Sequence, residues 1–385
     1  MRIAFVSNFY NHHQASCSEA LFRMLNESYV FICTEEISKE RLDMGWGQEK
    51  APQFVVNYRD CPEKCNEIIN TYDAVIFGSA PYNLLANRVK NGKLTILYSE
   101  RVFKKKVGLV RLFKYKISHF LKFGRYKNMF LLCSSAFAYD DYTRMMSFKN
   151  KAYKWGYFPK THFFNPEEVI KNKKKKCISL LSVARMIDWK HPELVLKVAK
   201  KLDEEGIDFK LNMIGNGVLK NNILDFIEKN DLNGRINVVD HLSPEEVREY
   251  MIDSDIFLFT SDRNEGWGAV LNESMNSCCA VVASSAIGAV PFLLKNNYNG
   301  FIFEDGNFDD LYNKTKILCL EEQKRKYLGL NAFETISKEW SAEIASQRLI
   351  ELLQDLLEKG NSSRFIDGPC SKAKIIKDDW FKNNK

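Results

Sequence analysis

Apolar residues along the chain gather in short runs that alternate with stretches of helical spacing. In the first half the runs lie over 2–6, 30–34, 74–77, 94–98 and 129–133. Apolar runs of this length, bounded by polar turns, predict buried strands. Between them, 18–25 and 62–71 place apolar residues on one helical face. The second half repeats the pattern, with strands predicted over 178–184, 210–214, 236–239, 256–260 and 280–283, and helices over 192–204, 218–230, 244–252 and 268–276. Such alternation predicts parallel sheets covered by helices on both faces. The expected fold class is α/β, with two Rossmann-like doubly wound domains facing each other across a cleft.

The alternation breaks in "KWGYFPKTHFFNPEEVIKNKKKKC", where aromatics, two prolines and a lysine run intervene. This sets a first domain over 1–158, a linker over 159–176 and a second domain over 177–340. Lysines 173–176 read as a solvated connector. A helix over 341–358 is expected to pack back on the first domain, and 359–385 reads as a polar tail with no assigned role. A length of 385 residues fits two domains.

Composition narrows the class. Apolar residues make up 45% and charged residues 27%, as in a water-soluble globular protein. The run at 3–6 is too short for a signal peptide, and no apolar stretch reaches the ~18 residues of a spanning helix. A cytoplasmic protein is expected, and its ten scattered cysteines are expected as reduced thiols. "CPEKC" (Cys61, Cys65) lacks a second ligand pair, which favours ordinary thiols over a metal site.

The formal charge of +7 is concentrated. From Arg101 to Ala138 there is no Asp or Glu, while Lys104, Lys105, Lys106, Arg111, Lys114, Lys116, Lys122, Arg125 and Lys127 interleave with Phe103, Leu109, Phe113, Ile117 and Leu121. Two readings fit 101–127: a helix lying on the inner face of the plasma membrane, or a solvated helix with one face on the core. No nucleic-acid motif accompanies the charge.

The densest chemistry lies in "NEGWGAVLNESMNS", residues 264–277. A strand ends, a glycine loop follows, and a helix begins. Free N–H groups and the helix dipole at such a start favour an anion, phosphate above all. Glycines Gly266 and Gly268 let backbone come close to a ligand. Glu265 precedes the helix and Glu273 lies within it, so a phosphate at the helix start has a carboxylate on either side. Carboxylates accept hydrogen bonds from hydroxyls. A diphosphate flanked by hydroxyls on both sides is a nucleoside diphosphate sugar. Arg185 and Lys190 in "SVARMIDWKHPEL" follow another predicted strand and supply the cations a diphosphate needs.

The second half resembles the nucleotide-sugar domain of GT-B retaining glycosyltransferases of the family 4 type. The stretches that carry the resemblance are "LSVARMIDWKHPELVLKVAKKL", "LNMIGNGVLKNNI", "VVDHLSPEEVREYMIDSDIFLFTSDRNEGWGAVLNESMNSCCAVVAS" and "NNYNGFIFEDG". They cover about 170 residues in the family's order, and Glu265 and Glu273 match its E-x7-E motif. The resemblance implies that Glu265 contacts the donor sugar, Glu273 the ribose, and Arg185 and Lys190 the diphosphate. It also places Gly266, Trp267, Gly268, Ala269, Val270 and Gly215 at the donor site, with the base near Val239 and His241. It implies transfer from a UDP-sugar, or a GDP-sugar, to a glycan or lipid-linked saccharide, with retention. No D-x-D site is present in a suitable loop, so no metal is expected; nor is a cofactor, the nucleotide sugar being a co-substrate. Cys278 stands where the family has glycine, which suits a turn without positive φ. A nucleotide-sugar epimerase of the same fold, or a non-catalytic donor-binding partner of another transferase, is the alternative.

The first half lacks the family's glycine-rich loop and has "SNFYNHHQAS" instead. With "YSERVF" and "KWGYFP", this resembles a bacterial surface-polysaccharide subset of the family. His12 is a candidate catalytic contact, and His13, Ser99, Glu100 and Arg101 are candidate acceptor contacts. All five follow predicted strand ends; a surface His pair and an internal Glu–Arg pair are the structural alternatives. Ser134 and Ser135 also end a strand and fit the start of the next helix.

Overall fold

The computed structural model describes residues 1–37, 51–105, 107–173 and 177–382. Two compact units emerge, one formed by Met1–Lys160 with Glu339–Lys377 and the other by Thr161–Lys338 with Asp378–Lys385. Each is a parallel sheet with helices in the crossovers, the right-handed solution for buried strands.

Among the described residues the first unit has seven strands: β1 (Ile3–Ser7), β2 (Tyr29–Cys33), β3 (Val55–Asn57), β4 (Ala74–Phe77), β5 (Leu94–Ser99), β6 (Met129–Cys133) and β7 (Ala152–Lys154). Their order is β3-β2-β1-β4-β5-β6-β7. The five expected strands are present within a residue or so. The additional β3 and β7 hold three residues each, too few for a period to register. The helix expected over 18–25 starts earlier, at His12, because the Asn11 side chain accepts from His13 N at 3.0 Å and caps it.

The second unit has β8 (Ile178–Val183), β9 (Phe209–Ile214), β10 (Ile236–Val239), β11 (Ile256–Phe259), β12 (Ala280–Ser284) and β13 (Phe301–Phe303), in the order β10-β9-β8-β11-β12-β13. Strand order thus reverses between β8 and β11, the place where open parallel sheets leave a crevice for ligands.

The expected linker and tail are largely built into these units. Residues from Thr161 belong to the second unit, where the helix Pro166–Asn172 forms and the amide of Asn276 bridges His162 N and O at 2.8 and 3.1 Å. The helix Ala342–Lys359 belongs to the first unit and packs on His12–Leu25, with Cys17 Sγ and Ser346 Oγ 3.1 Å apart. Beyond it, Cys370 N donates to Lys154 O at 2.8 Å and Lys372 bridges Tyr153, so the tail continues the β7 edge.

Lys173 overturns the solvated-connector reading at its own position. It is 7% exposed, and its ammonium donates to Ser254 O at 2.8 Å, Ser277 O at 2.8 Å and Cys278 O at 3.0 Å. Ser254 and Ser277 are the C-caps of Pro244–Asp253 and Val270–Asn276. One cation therefore satisfies carbonyls at two helix C-termini, where the dipole favours positive charge. The other three lysines of that run lie outside the described residues, as does Lys106.

Cys278 departs from expectation as well. Its φ is +57°, so the turn does require the left-handed region that glycine adopts without strain. All ten cysteines are free thiols, Cys61 and Cys65 included.

Candidate active site

The carboxyl ends of β8 and β11 carry the two loops that the sequence singles out. After β8 come Arg185, Trp189 and Lys190; after β11 comes Glu265. Asp262 N donates to Trp189 O at 3.0 Å. Thr260 Oγ1 lies within 2.8 Å of Lys190 O and 3.2 Å of His191 O. One backbone bond and the Thr260 hydroxyl thus join the loops. Side chains then complete the junction: the Lys190 ammonium pairs with the Glu265 carboxylate, each side chain only 12% exposed. Charges this far from water require pairing, since either one alone would be strongly destabilising.

Trp189 organises the cations. Its ring centroid lies 4.4 Å from Lys190 Nζ and 5.8 Å from Arg185 Cζ, within cation–π range of both. Arg185 itself is exposed, its guanidinium open to a ligand. Beneath it Gly215 has φ +140°, and a Cβ there would lie 2.1 Å from Ala184 O. Gly215 N donates to Val239 O at 3.0 Å, and Met186 N to Asn216 O at 2.9 Å. Gly215 therefore supports the Arg185 loop from below. Val239 contributes its carbonyl to this support, and His241 is exposed beyond β10.

The glycine loop has a different logic from the one expected. Gly268 has φ +91°, and a Cβ there would meet Phe259 Cζ at 2.7 Å, so the crowding comes from the core. Gly266 is buried. The Trp267 side chain is not a donor contact: it is 1% exposed and donates from Nε1 to Asn272 Oδ1 at 2.9 Å. Its size and apolar area hold it in the core. Ala269 and Val270 open the helix Val270–Asn276, whose start has no side-chain cap. That leaves its first N–H groups to other acceptors. The helix begins two residues later than expected, so Glu273 stands in its first turn. Burial pushes the Glu273 carboxyl up to about 7.

The first-unit candidates form a second cluster. The rings of His12 and His13 lie 3.8 Å apart, and His13 stacks on Tyr157 at 5.0 Å. Burial, with His12 adding to it, lowers His13 to about 3, so His13 is neutral near pH 7. Tyr157 donates to Glu100 Oε1, and Lys104 lies 3.6 Å from Glu100 Oε2. Ser99 Oγ accepts from Tyr142 at 2.9 Å. Arg101 does not fit an acceptor contact: it is 4% exposed, with its guanidinium 4.8 Å from the Phe137 ring centroid. Burial raises the Asp141 carboxyl, and the Arg101 charge helps to hold it down. Ser134 and Ser135 are wholly buried.

The basic stretch forms the helix Leu109–His119 and a π-helical turn over Phe120–Gly124. No residue of either is fully buried, yet one face packs inward: Tyr115 lies against Phe103, and His119 and Phe123 against Tyr142 and Phe148. Leu109 is 84% and Phe113 64% exposed, and Ile117 and Leu121 continue that face. Among the described residues, no helix is long and apolar enough to cross a membrane.

Sequence reasoning missed Trp189, Thr260, Asp262 and Tyr157. Trp189 sits beside Lys190 in a stretch already noted, and an aromatic next to a candidate phosphate cation was the available signal. The other three act through tertiary contacts that leave no mark on spacing.

Residues 164–335 match the family Glycosyl transferases group 1. The chain is 36% identical over 137 residues to an uncharacterized glycosyltransferase of Methanocaldococcus jannaschii, covering 36% of this chain and 38% of that one. It is 28% identical over 184 residues to the amylovoran biosynthesis glycosyltransferase AmsK of Erwinia amylovora, covering 46% and 45%. These matches span less than half the length of the curated relatives. Among solved structures, Anabaena HepE in complex with UDP aligns with a TM-score of 0.70 at 14% identity, covering 92% of this chain and 100% of that one. WaaG, a glycosyltransferase involved in lipopolysaccharide biosynthesis, aligns at 0.62 and 13% identity, covering 93% and 100%. The two Rossmann-like units are those of the GT-B fold.

Proposed function

We propose that this chain, which carries a Glycosyl transferases group 1 domain over 164–335, moves a sugar from a nucleoside diphosphate sugar to a glycan or lipid-linked saccharide hydroxyl. The observation that carries the reading is the Lys190–Glu265 pair at the β8/β11 reversal, with Arg185 beside it. In the structure the two charges satisfy each other. A diphosphate draws Lys190 to its oxygens, and Glu265 is released to accept from sugar hydroxyls. Glu273, one turn into the following helix, accepts from the ribose. UDP in the HepE complex favours a UDP-sugar over a GDP-sugar.

The bond from the anomeric carbon to the β-phosphate oxygen breaks, and Arg185 and Lys190 stabilise the charge that develops there. These two cations serve in place of a metal. The acceptor oxygen forms the new bond on the face that the phosphate leaves, which retains configuration. Its proton passes to the departing diphosphate. In the first unit, His12 is the candidate catalytic contact and Glu100 a candidate acceptor contact.

The exposed apolar face of Leu109–His119, flanked by Arg111, Lys114 and Lys116, supports peripheral contact with an anionic membrane. A lipid-linked acceptor and a place at the inner face of the plasma membrane fit that surface.

The test is a thermal-shift screen against UDP, GDP and ADP sugars with EDTA present, followed by product detection with lipid-linked acceptors. A ligand that binds the native state raises its melting temperature by mass action. One nucleotide family shifting the transition, with transfer unaffected by EDTA, is the expected result. A folded sample that shifts with none of them refutes the donor site.

A further inference from the structure

The chain leaves the second unit at Lys338, runs through the first over Glu339–Lys377, and re-enters the second at Asp378. The sequence gives residues 378–382 ("DDWFK") no motif and no period. Their contacts are specific nonetheless. Asp378 pairs with Arg263 at 3.2 Å. Trp380 Nε1 donates to Ser285 O at 2.9 Å. Phe381 is 6% exposed, with Lys314 Nζ 5.2 Å from its ring centroid. Lys382 pairs with Glu304 at 2.9 Å.

Arg263, Ser285 and Glu304 lie just beyond the carboxyl ends of β11, β12 and β13. These strands are adjacent in the sheet, so the segment crosses three consecutive strand ends. Arg263 is two residues from Glu265. Gly288, in the loop that Trp380 holds, donates from its N–H to Glu265 O at 3.4 Å. The segment therefore touches both loops that fix the Glu265 backbone.

We propose that residues 378–382 are a strap that positions the Glu265 loop, with Trp380 and Asp378 as its positioning residues; the part of this that concerns donor binding rests on the donor site assigned above. The buried Phe381 and the half-buried, hydrogen-bonded Trp380 anchor the strap, and the two ion pairs set its register. Strap docking and donor binding are then coupled, and coupling is reciprocal: a bound nucleotide tightens the strap as the strap tightens the nucleotide.

The experiment compares the full chain with Trp380→Ala, Trp380→Phe and Asp378→Asn, reading amide hydrogen exchange over 261–268 and titrating with UDP. In the absence of ligand, Trp380→Ala is expected to speed exchange over 261–268 at least about tenfold, the lower part of the usual coupling range. Exchange in β9 stays unchanged. Asp378→Asn, which keeps size and shape, gives a smaller increase, and Trp380→Phe recovers most of the protection by keeping the ring. With UDP, Kd and the donor KM rise about tenfold in Trp380→Ala while kcat at saturating donor holds. Unchanged exchange over 261–268 in both Trp380→Ala and Asp378→Asn overturns the strap, whatever UDP does. Faster exchange in a chain whose parent binds no UDP, GDP or ADP upholds the strap's hold on the loop and refutes the donor reading alone.

Discussion

Replacing Lys173 by methionine removes a buried cation from three carbonyls while nearly keeping its volume. Each hydrogen bond from a charged donor is worth about 1.5–3 kcal/mol. Three of them at 2.8, 2.8 and 3.0 Å would sum to several kcal/mol. Methionine also relieves the desolvation of an ammonium, which offsets a large part of that sum. The net loss is about 3 kcal/mol, because the Ser254, Ser277 and Cys278 carbonyls are left without their cation at two helix ends. For a unit of this size, 1 kcal/mol moves the melting temperature by about 2–4 °C. Lys173→Met is therefore expected to lower the transition of the second unit by about 6–12 °C in differential scanning calorimetry. Amide exchange should rise at the ends of Pro244–Asp253 and Val270–Asn276. A melting temperature within about 2 °C of the parent, well under the shift this energy implies, would refute the claim that the Lys173 ammonium gives net stability to the two helix ends.

Four further outcomes follow from the same structure. Glu265→Gln keeps the shape of the loop but loses the carboxylate; turnover should drop at least about 100-fold with the fold retained, and near-normal turnover would remove Glu265 from the site. Glu273 holds its proton to about 7 when folded and only to its ordinary 4.5 when unfolded. The folded chain then binds more protons between those values, so stability falls as pH rises through that window, and Glu273→Gln should flatten the fall in a series of melting curves. Gly215→Ala forces a Cβ toward Ala184 O and shifts the Arg185 loop; a stability loss of about 1–3 kcal/mol with weaker nucleotide binding is expected in urea titration and calorimetry. Leu109→Asp with Phe113→Asp should abolish co-sedimentation with phosphatidylglycerol vesicles, and so should Lys104→Glu with Lys105→Glu; undiminished binding in both would exclude this helix as the contact.

Local rules carried the reading a long way in particular places. Apolar runs located β4, β6 and β10 to the residue, and Pro62, Pro192 and Pro244 each marked the first turn of a helix. The strand–glycine–helix order around Glu265 was legible because it is written in consecutive residues. The three-residue strands β3, β7 and β13 were not, since so few positions cannot display a period and their stability comes from neighbouring strands. Trp267 misled for a related reason. The resemblance carries Trp267 to the donor site along with its motif neighbours, and only the packing around Phe292 and Asn272 shows that its side chain points inward.

The sequence by itself determined the alternating α/β architecture, the two-part organisation and the carboxylate-bearing glycine loop set between a strand and a helix. These depend on interactions between residues close along the chain. Only the tertiary structure decided the strand order that brings β8 beside β11, and with it the meeting of Lys190 and Glu265, 75 residues apart. It also decided that Lys173 is buried, that Arg101 is interior and that residues 378–382 return to the second unit. Each of these turns on how a charge or an aromatic ring is satisfied by groups distant in sequence. Burial and desolvation are properties of the packed chain, and spacing alone does not encode them.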